Sequence, residues 1–244
     1  MKIHRFYIEP EKDIRGQLAE GKEIAVANTK LIHQIVRVLR LRAKEYVILF
    51  DNTGYEYSGI ILVAEKSGVH IAIKEKKQSE HEMPIKIFLY QSVIKKDNFE
   101  TAIQKGVETG VSKFVPILSA HSEKKAVRMD RMEKIIREAA EQSGRSILPT
   151  IEEPRSLFDA LEEEKSGVMI FCDQSGESLM SALKKHPGEK EYHVFVGPEG
   201  GWTTEERNAA SDMGAHIIRI SPLTLRAETV APVITSLLLS SVEG

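Results

Sequence analysis

Residues 192–206 read Tyr-His-Val-Phe-Val-Gly-Pro-Glu-Gly-Gly-Trp-Thr-Thr-Glu-Glu. The run Val194, Phe195, Val196 has the apolarity of a buried strand, and Gly197, Pro198, Glu199, Gly200 and Gly201 then break it. Thr203, with Glu206 three residues later, forms a capping box, so a helix starts directly after the glycines. Strand, glycine loop and helix in that order let backbone amides approach a ligand closely. The same glycines also suit a tight turn that needs positive φ, and Trp202, the single tryptophan, reads more readily as a core or interface anchor than as a stacking platform.

Working outward, strand and helix alternate on both sides of this unit. Strands are expected at 85–90, 111–118, 168–172, 192–196 and 216–220, and helices at 97–108, 128–142, 157–164 and 179–185, with a last, largely apolar helix ending at Ser241. Gly110 sits where a helix end wants a left-handed residue. Such alternation predicts an α/β domain with a mostly parallel sheet, whose ligands gather outside the carboxyl ends of the strands.

The front of the chain has a different texture. Short period-two stretches at 3–8, 23–27, 46–50, 56–64 and 69–74 predict a small β-rich domain over 1–74, with turn chemistry at Asp51, Asn52, Thr53 and Gly54. One helix interrupts it, carried by Leu31, Ile32, Ile35, Val36 and Leu39, with Arg37, Arg40 and Arg42 on the helix and its exit. Residues 75–84 are polar, heavily charged and end in a proline, so they read as a linker to a second domain over 85–244.

Charge and composition limit the functions available. Residues 1–78 carry 14 Lys and Arg against 10 Asp and Glu, whereas the remainder carries 20 against 26, so the slight positive excess lies at the front. That is the pattern of a domain gripping a polyanion beside one that does something else. No apolar run approaches the ~20 residues of a bilayer span, Met1 to Pro10 is charged, and Cys172 is the single cysteine, so a cytoplasmic protein without disulfides, membrane contact or a Cys-rich metal site is expected. The eight histidines fall in no metal-binding spacing. The dinucleotide fingerprint, the nucleotide-hydrolase phosphate loop and the serine-hydrolase elbow are all missing from the sequence.

Three further clusters can carry chemistry. After the strand at 216–220 come Ser221, Pro222, Leu223, Thr224, Leu225, Arg226, Ala227, Glu228 and Thr229. Leu223 and Leu225 suit a flat apolar ligand such as adenine, or ordinary core; Arg226 and Glu228 are charges at a helix mouth, or a surface pair. At a helix exit, Gln142, Ser143 and Arg145 suit a base edge or a phosphate, or simply end the helix. Lys95 and Lys96 precede a helix, where lysines are usually solvated but also meet phosphates.

The ordered set of Gln104-Lys-Gly-Val-Glu-Thr-Gly110, the Glu138 to Arg145 cluster, Gly197 to Trp202 and Leu225 to Thr229 resembles the RsmE family of ribosomal RNA uridine N3-methyltransferases. His4-Arg5-Phe6-Tyr7 and Val38-Leu39-Arg40-Leu41-Arg42 resemble the same family's amino-terminal domain, so the likeness spans nearly the whole chain. The resemblance implies an N-terminal PUA-like β-barrel, a C-terminal SPOUT-type α/β domain with a trefoil knot, bound S-adenosylmethionine (SAM) and a homodimer acting on 16S rRNA in the small subunit or its precursor. Where the family commonly has a glycine and an arginine, this chain has Ser221 and Leu223.

Carried onto this sequence, the resemblance and the residue reading place the cofactor at Cys172, Asp173, Gly197, Pro198, Glu199, Gly200, Gly201, Ile220, Leu223, Leu225 and Thr229. They place RNA on Arg5, Arg37, Arg40, Arg42, Lys95 and Gln142, and catalysis on Arg226, with Arg145 and Glu228 as further candidates. Methyl transfer from a sulfonium needs no metal; it needs a positioned nucleophile and a cation facing the charge that develops on a uracil oxygen. Competing readings are a 2′-O-ribose methyltransferase on the same fold and a noncatalytic RNA-binding or assembly protein.

Overall fold

The computed structural model describes residues 3–123, 126–163 and 166–242. The chain divides into two compact units, residues 1–82 with 140–148, and residues 83–139 with 149–244.

The first unit contains β1 (His4–Tyr7), α1 (Pro10–Asp13), β2 (Ile14–Arg15), β3 (Glu23–Val26), α2 (Thr29–His33), β4 (Tyr46–Phe50), β5 (Tyr55–Glu65) and β6 (Gly68–Gln78). Its sheet runs β1-β4-β5-β6-β3-β2, with β1 parallel to β4 and every other pair antiparallel. The period-two pattern is realised directly: Val69, Ile71 and Ile73 of β6 are buried and alternate with more exposed neighbours. They join Phe6, Val47, Leu49 and Ile61 in one core, where loss of a single Ile side chain costs about 2–5 kcal/mol. The expected turn at 51–54 forms, with Asn52 at φ 68° and the Thr53 amide donating to Asp51 Oδ1 at 3.4 Å.

Two features of this unit differ from expectation. The helix through Leu39 is α-helical only over Thr29–His33 and widens to a π-helical turn over Gln34–Val38, where the Leu39 amide reaches back to the Gln34 carbonyl. Hydropathy spacing cannot register one widened turn, but it leaves Arg40 at φ 55° and Arg37, Arg40 and Arg42 exposed. The expected linker also begins as strand: β6 continues to Gln78, and Ser79 is buried with its hydroxyl donating to Glu56 at 2.7 Å. Solvent-facing residues on a paired strand carry no hydrophobic signal, which is why the sequence read as a linker there.

The second unit contains β7 (Lys86–Ser92), α3 (Lys96–Glu108), β8 (Lys113–Leu118), most of α4 (Met129–Ser143), β9 (Thr150–Ile151), β10 (Arg155–Ser156), α5 (Leu157–Glu162), β11 (Val168–Ser178), α6 (Leu179–Leu183), β12 (Glu191–Val196), α7 (Thr204–Asp212), β13 (His216–Arg219) and α8 (Ala227–Ser240). The strand order is β10-β8-β7-β12-β11-β13 with β9 added beside β8, and all pairs are parallel. The expected end of α5 at Glu164 lies outside the described residues. Tyr90 stacks on Phe195 at 4.3 Å between centroids, and Phe171 packs on Trp202 at the same separation, in a core completed by Val115, Ile117 and Leu157. Gly110 takes φ 101° after α3, as the sequence led one to expect.

Residues 140–148 were expected in the second domain and cluster with the first unit instead. The cause is a set of hydrogen bonds. The Tyr7 amide and the Gln34 side chain donate to the Glu141 carboxylate at 3.1 and 3.4 Å, Arg5 donates to the Arg145 carbonyl at 3.3 Å, and the Leu148 amide donates to Asn52 at 2.6 Å. Among the described residues no helix is long and apolar enough to cross a membrane.

Candidate active site

Three parallel strands set up the site, because β12 ends at Val196 beside Cys172, where the register of β11 breaks, and Cys172 in turn pairs with Ile218 near the end of β13. Beyond that level lies a cleft of about 460 Å³, the position that parallel α/β sheets use for ligands. Its walls come from Cys172, Asp173 and Gln174 at the register break within β11, Val196 to Glu199 with Gly201 and Trp202 at the end of β12 and beyond it, and Ile218 to Ser221 with Thr224 to Ala227 and Val230 around β13 and the start of α8.

The β12 loop is held by its neighbours. The capping box expected at Thr203 is present, with the Glu206 carboxylate taking the Thr203 amide at 2.8 Å and its second oxygen taking the Ala120 amide at 2.8 Å. Gly201 stands at φ 70°, a conformation that favours glycine. A Cβ on Gly197 would lie 2.8 Å from the Trp202 ring, so there it is space rather than φ that demands glycine. Trp202 is a core anchor, as read, and its indole N–H donates to the Cys172 carbonyl at 2.9 Å, joining the loop after β12 to β11 just before its register break.

The β11 side is shaped by a register break. β11 pairs with β13 through Cys172 and again from Glu177, and the intervening residues bow outward into the cleft wall. The expected strand stopped at Cys172; the continuation has no hydrophobic pattern to announce it. Asp173 Oδ1 accepts from the Ser175 amide at 2.9 Å and hydroxyl at 2.6 Å, while Arg207 stands 3.7 Å from Oδ2. Burial first, and then the Asp173 charge, push the Cys172 thiol well above its ordinary pKa, so it stays a neutral wall group. On the β13 side, Gln174 donates to the Leu223 carbonyl at 3.0 Å and fixes the loop before α8.

Cys172, Asp173, Gly197, Pro198, Glu199, Gly201, Ile220, Leu225 and Arg226 therefore all line one cleft. Gly200, Leu223 and Thr229 do not: a Cβ on Gly200 would meet His121 at 2.9 Å, and Leu223 is 72% exposed. Gly200 thus makes room for His121, whose ring meets the Gly201 carbonyl at 2.9 Å, and the apolar expectation for Leu223 gives way to its carbonyl contact. Gln174 and Arg219 line the cleft without any motif that announced them, whereas Ser221 and Thr224 line it as members of the 221–229 cluster read from the sequence.

Arg226 is the N-cap residue of α8, with its side chain 84% exposed. Its guanidinium lies 3.9 Å from Glu228 Oε1, beyond hydrogen-bond reach, and the mostly buried Glu228 keeps Oε2 without a hydrogen-bond partner. Arg145 does not line this cleft; it belongs to the first unit and is buried, which pushes its guanidinium down to about 10. Arg5 is largely but not fully buried, bonded to Glu56 at 3.1 Å and placed 5.5 Å from the Phe50 ring, so it braces the sheet more than it faces solvent. Lys95 and Gln142 are exposed, as are Arg37, Arg40 and Arg42. Among the described residues, no group of three or more metal-ligating side chains comes together.

The cleft can hold an elongated ligand with a flat apolar part against Val196, Ile218, Ile220 and Leu225, and cationic groups near Asp173 and Glu199. Residues 81–239 match the family model described as an RNA methyltransferase domain. The chain belongs to this RNA methyltransferase family. Residues 28–74 of this RNA methyltransferase family member match a second model, described as an RNA methyltransferase PUA domain. It is similar to ribosomal RNA small subunit methyltransferase E of Rickettsia conorii, at 28% identity over 95% of this chain and 93% of the relative, and to that of Bacillus subtilis, at 28% over 93% and 92%. A solved structure of the methyltransferase E from Neisseria gonorrhoeae, bound to S-adenosyl methionine, is 27% identical and superposes with a TM-score of 0.88 over 98% of each chain. The likeness to the RsmE family read from the sequence is borne out.

Proposed function

We propose that this protein is a SAM-dependent methyltransferase that modifies N3 of a uridine in 16S rRNA. The observation that carries the proposal is the cleft at the carboxyl ends of β12 and β13 and the register break of β11, in a chain whose relatives bear the name of that enzyme and include one solved with SAM bound. The site fits the cofactor: the apolar walls accept an adenine, the backbone of the β12 loop offers polar groups at close range, and Asp173 and Glu199 offset positive charge. Bound SAM supplies an electrophilic methyl group on a sulfonium.

The chain's own residues orient the base and compensate charge. Uracil N3 attacks well only as its proton leaves, and negative charge then spreads onto the ring oxygens. We assign the compensation of that charge to Arg226, which lines the cleft with its side chain exposed and is in no hydrogen-bonded pair with Glu228. Glu228, in the first turn of α8 and with an unsatisfied oxygen, positions Arg226 and offers an acceptor. Arg37, Arg40 and Arg42 provide the exposed cationic edge of the first unit, which we assign to the RNA backbone together with Lys95 and Gln142.

The remaining assignments belong to the same reading: a closed PUA-like barrel in the first unit, a trefoil knot around the cleft, a homodimer and a cytoplasmic site of action. Val230, Val233 and Leu237 form a partly exposed apolar stripe on α8, which supports dimerisation through that helix. Calorimetric titration of the protein with SAM, followed by methylation of 16S rRNA and of small subunits with mass spectrometry of the nucleosides, tests the proposal. SAM binding and N3-methyluridine are expected. A 2′-O-methyl product would overturn the target atom, and no SAM binding would overturn the enzyme.

A further inference from the structure

A second groove opens in the same unit at the carboxyl end of β7, the strand paired with β12. Its volume is about 230 Å³, small for a whole cofactor and suited to one nucleobase. Val93, Ile94, Phe99 and Met132 form its floor, each 4% exposed or less. Lys95 and Lys96 stand at one end of the rim, where the backbone enters α3 with no side chain capping it. Arg128 also lies on the rim but is bonded to Asp130 at 2.7 Å, and Glu123 lines the wall, so Lys95, which has no ion pair among the described residues, supplies the free positive charge.

The groove wall also carries an unmet acceptor. Glu100 Oε2 takes both Arg131 Nε at 3.1 Å and Nη2 at 2.8 Å, whereas Oε1 is buried without a hydrogen-bond partner, with the Lys96 ammonium 3.9 Å away. An apolar slot, a carboxylate with unused lone pairs and a lysine at the mouth match the three parts of one nucleotide: a flat base, its ring N–H donor and its phosphate. The groove also adjoins the cleft. Asn98, beside Phe99 on α3, donates to Glu199 of the cleft wall at 3.4 Å, and β7 and β12 end in register with Gln91 opposite Val196.

We infer that this groove is a nucleotide subsite that receives one unstacked base of the substrate RNA, base on the Phe99–Met132 floor and phosphate at Lys95. The inference rests on the methyltransferase reading for the identity of the polyanion, and its test separates the two. The full chain is labelled at the methionine methyl groups and titrated with uridine 5′-monophosphate, with and without saturating SAM, and followed by NMR. A saturable shift of the Met132 methyl is expected in both series. Lys95→Ala should weaken it about three- to tenfold, and Ala126→Trp, at an exposed position on the rim, should abolish it while SAM still binds. A Met132 signal that stays still while SAM binds overturns the subsite and leaves the cofactor cleft standing. A shift reproduced by inorganic phosphate alone, or by concentrating the protein without nucleotide, also overturns it, in favour of a simple anion contact or a second copy of the chain.

Discussion

The Trp202 indole donates its N–H to the Cys172 carbonyl at 2.9 Å while its ring lies 4.3 Å from Phe171, so one side chain ties the loop after β12 to β11 just before its register break. Cys172 is the last residue of β11 paired with β13 before the register break. Trp202→Phe keeps much of the packing and removes the donor. Stability should fall by about 1 kcal/mol, and SAM affinity should fall as the two cleft walls uncouple. Denaturant unfolding and calorimetry on the same preparation check both.

Glycines in the β12 loop should respond in two different ways. Gly201→Ala introduces a Cβ that meets nothing within 4 Å, so its cost is the φ of 70° alone, about 1 kcal/mol, with SAM binding kept. Gly197→Ala pushes a carbon to 2.8 Å from the Trp202 ring and must displace it, so SAM binding should be lost. Paired melting curves and calorimetric titrations separate strain from obstruction.

What the sequence made legible here was local. The capping box at Thr203, the glycine loop before it and the turn at 51–54 are each fixed by side chains a few residues apart, and all three formed. Long-range relationships were not legible. A charge count cannot distinguish the exposed Arg40 from Arg5, which is tied down against Glu56, nor foresee that Glu141 bonds Tyr7 and Gln34 and thereby draws residues 140–148 into the first unit. Gly200 was read as a cofactor contact together with its neighbours, which do line the cleft; only the backbone direction reveals His121 as what it faces.

Exposed arginines on the π-helical turn and its exit should govern the grip on RNA. Arg37→Ala and Arg42→Ala, with Arg40→Asn to suit its φ of 55°, remove the three exposed cations assigned above to the RNA backbone. Binding should weaken, and the log–log salt slope should flatten by about 0.7 to 0.9 per lost contact. Filter binding of 16S rRNA over a salt series checks this; an unchanged slope would return these residues to ordinary surface.

His216 provides a pH dependence in stability. Burial, His186 and Lys185 hold its pKa below 6.5 against the opposing pull of Glu177, and its Nε2 meets His186 Nε2 at 2.8 Å, a contact that requires one of the two nitrogens to accept. The unfolded chain therefore binds the proton more tightly than the folded one. The stabilising contribution is complete above pH 6.5 and declines as the pH falls below it toward the folded value. Melting temperatures should drop between pH 7.5 and 5.5, and His216→Gln should flatten that slope.

Catalysis should depend on Arg226 through charge rather than cofactor binding. Its guanidinium is exposed at the cleft rim and stays 3.9 Å from Glu228, so it is available to a substrate oxygen instead of being consumed in a close pair. If it meets negative charge that develops as the uracil proton leaves, Arg226→Ala should lower single-turnover methylation on the order of 10²-fold while SAM affinity and melting temperature stay near wild type. Arg226→Lys should recover only part of the rate, because an ammonium lacks the fork of donors. Glu228→Gln separates positioning from simple pairing. If the carboxylate orients Arg226, its loss should lower the rate less than Arg226→Ala does, and adding it to Arg226→Ala should cost little more, since the two act as one unit. Additive losses in the double variant would instead give Glu228 a role of its own at the imide proton, visible as a shifted pH profile of the methylation rate.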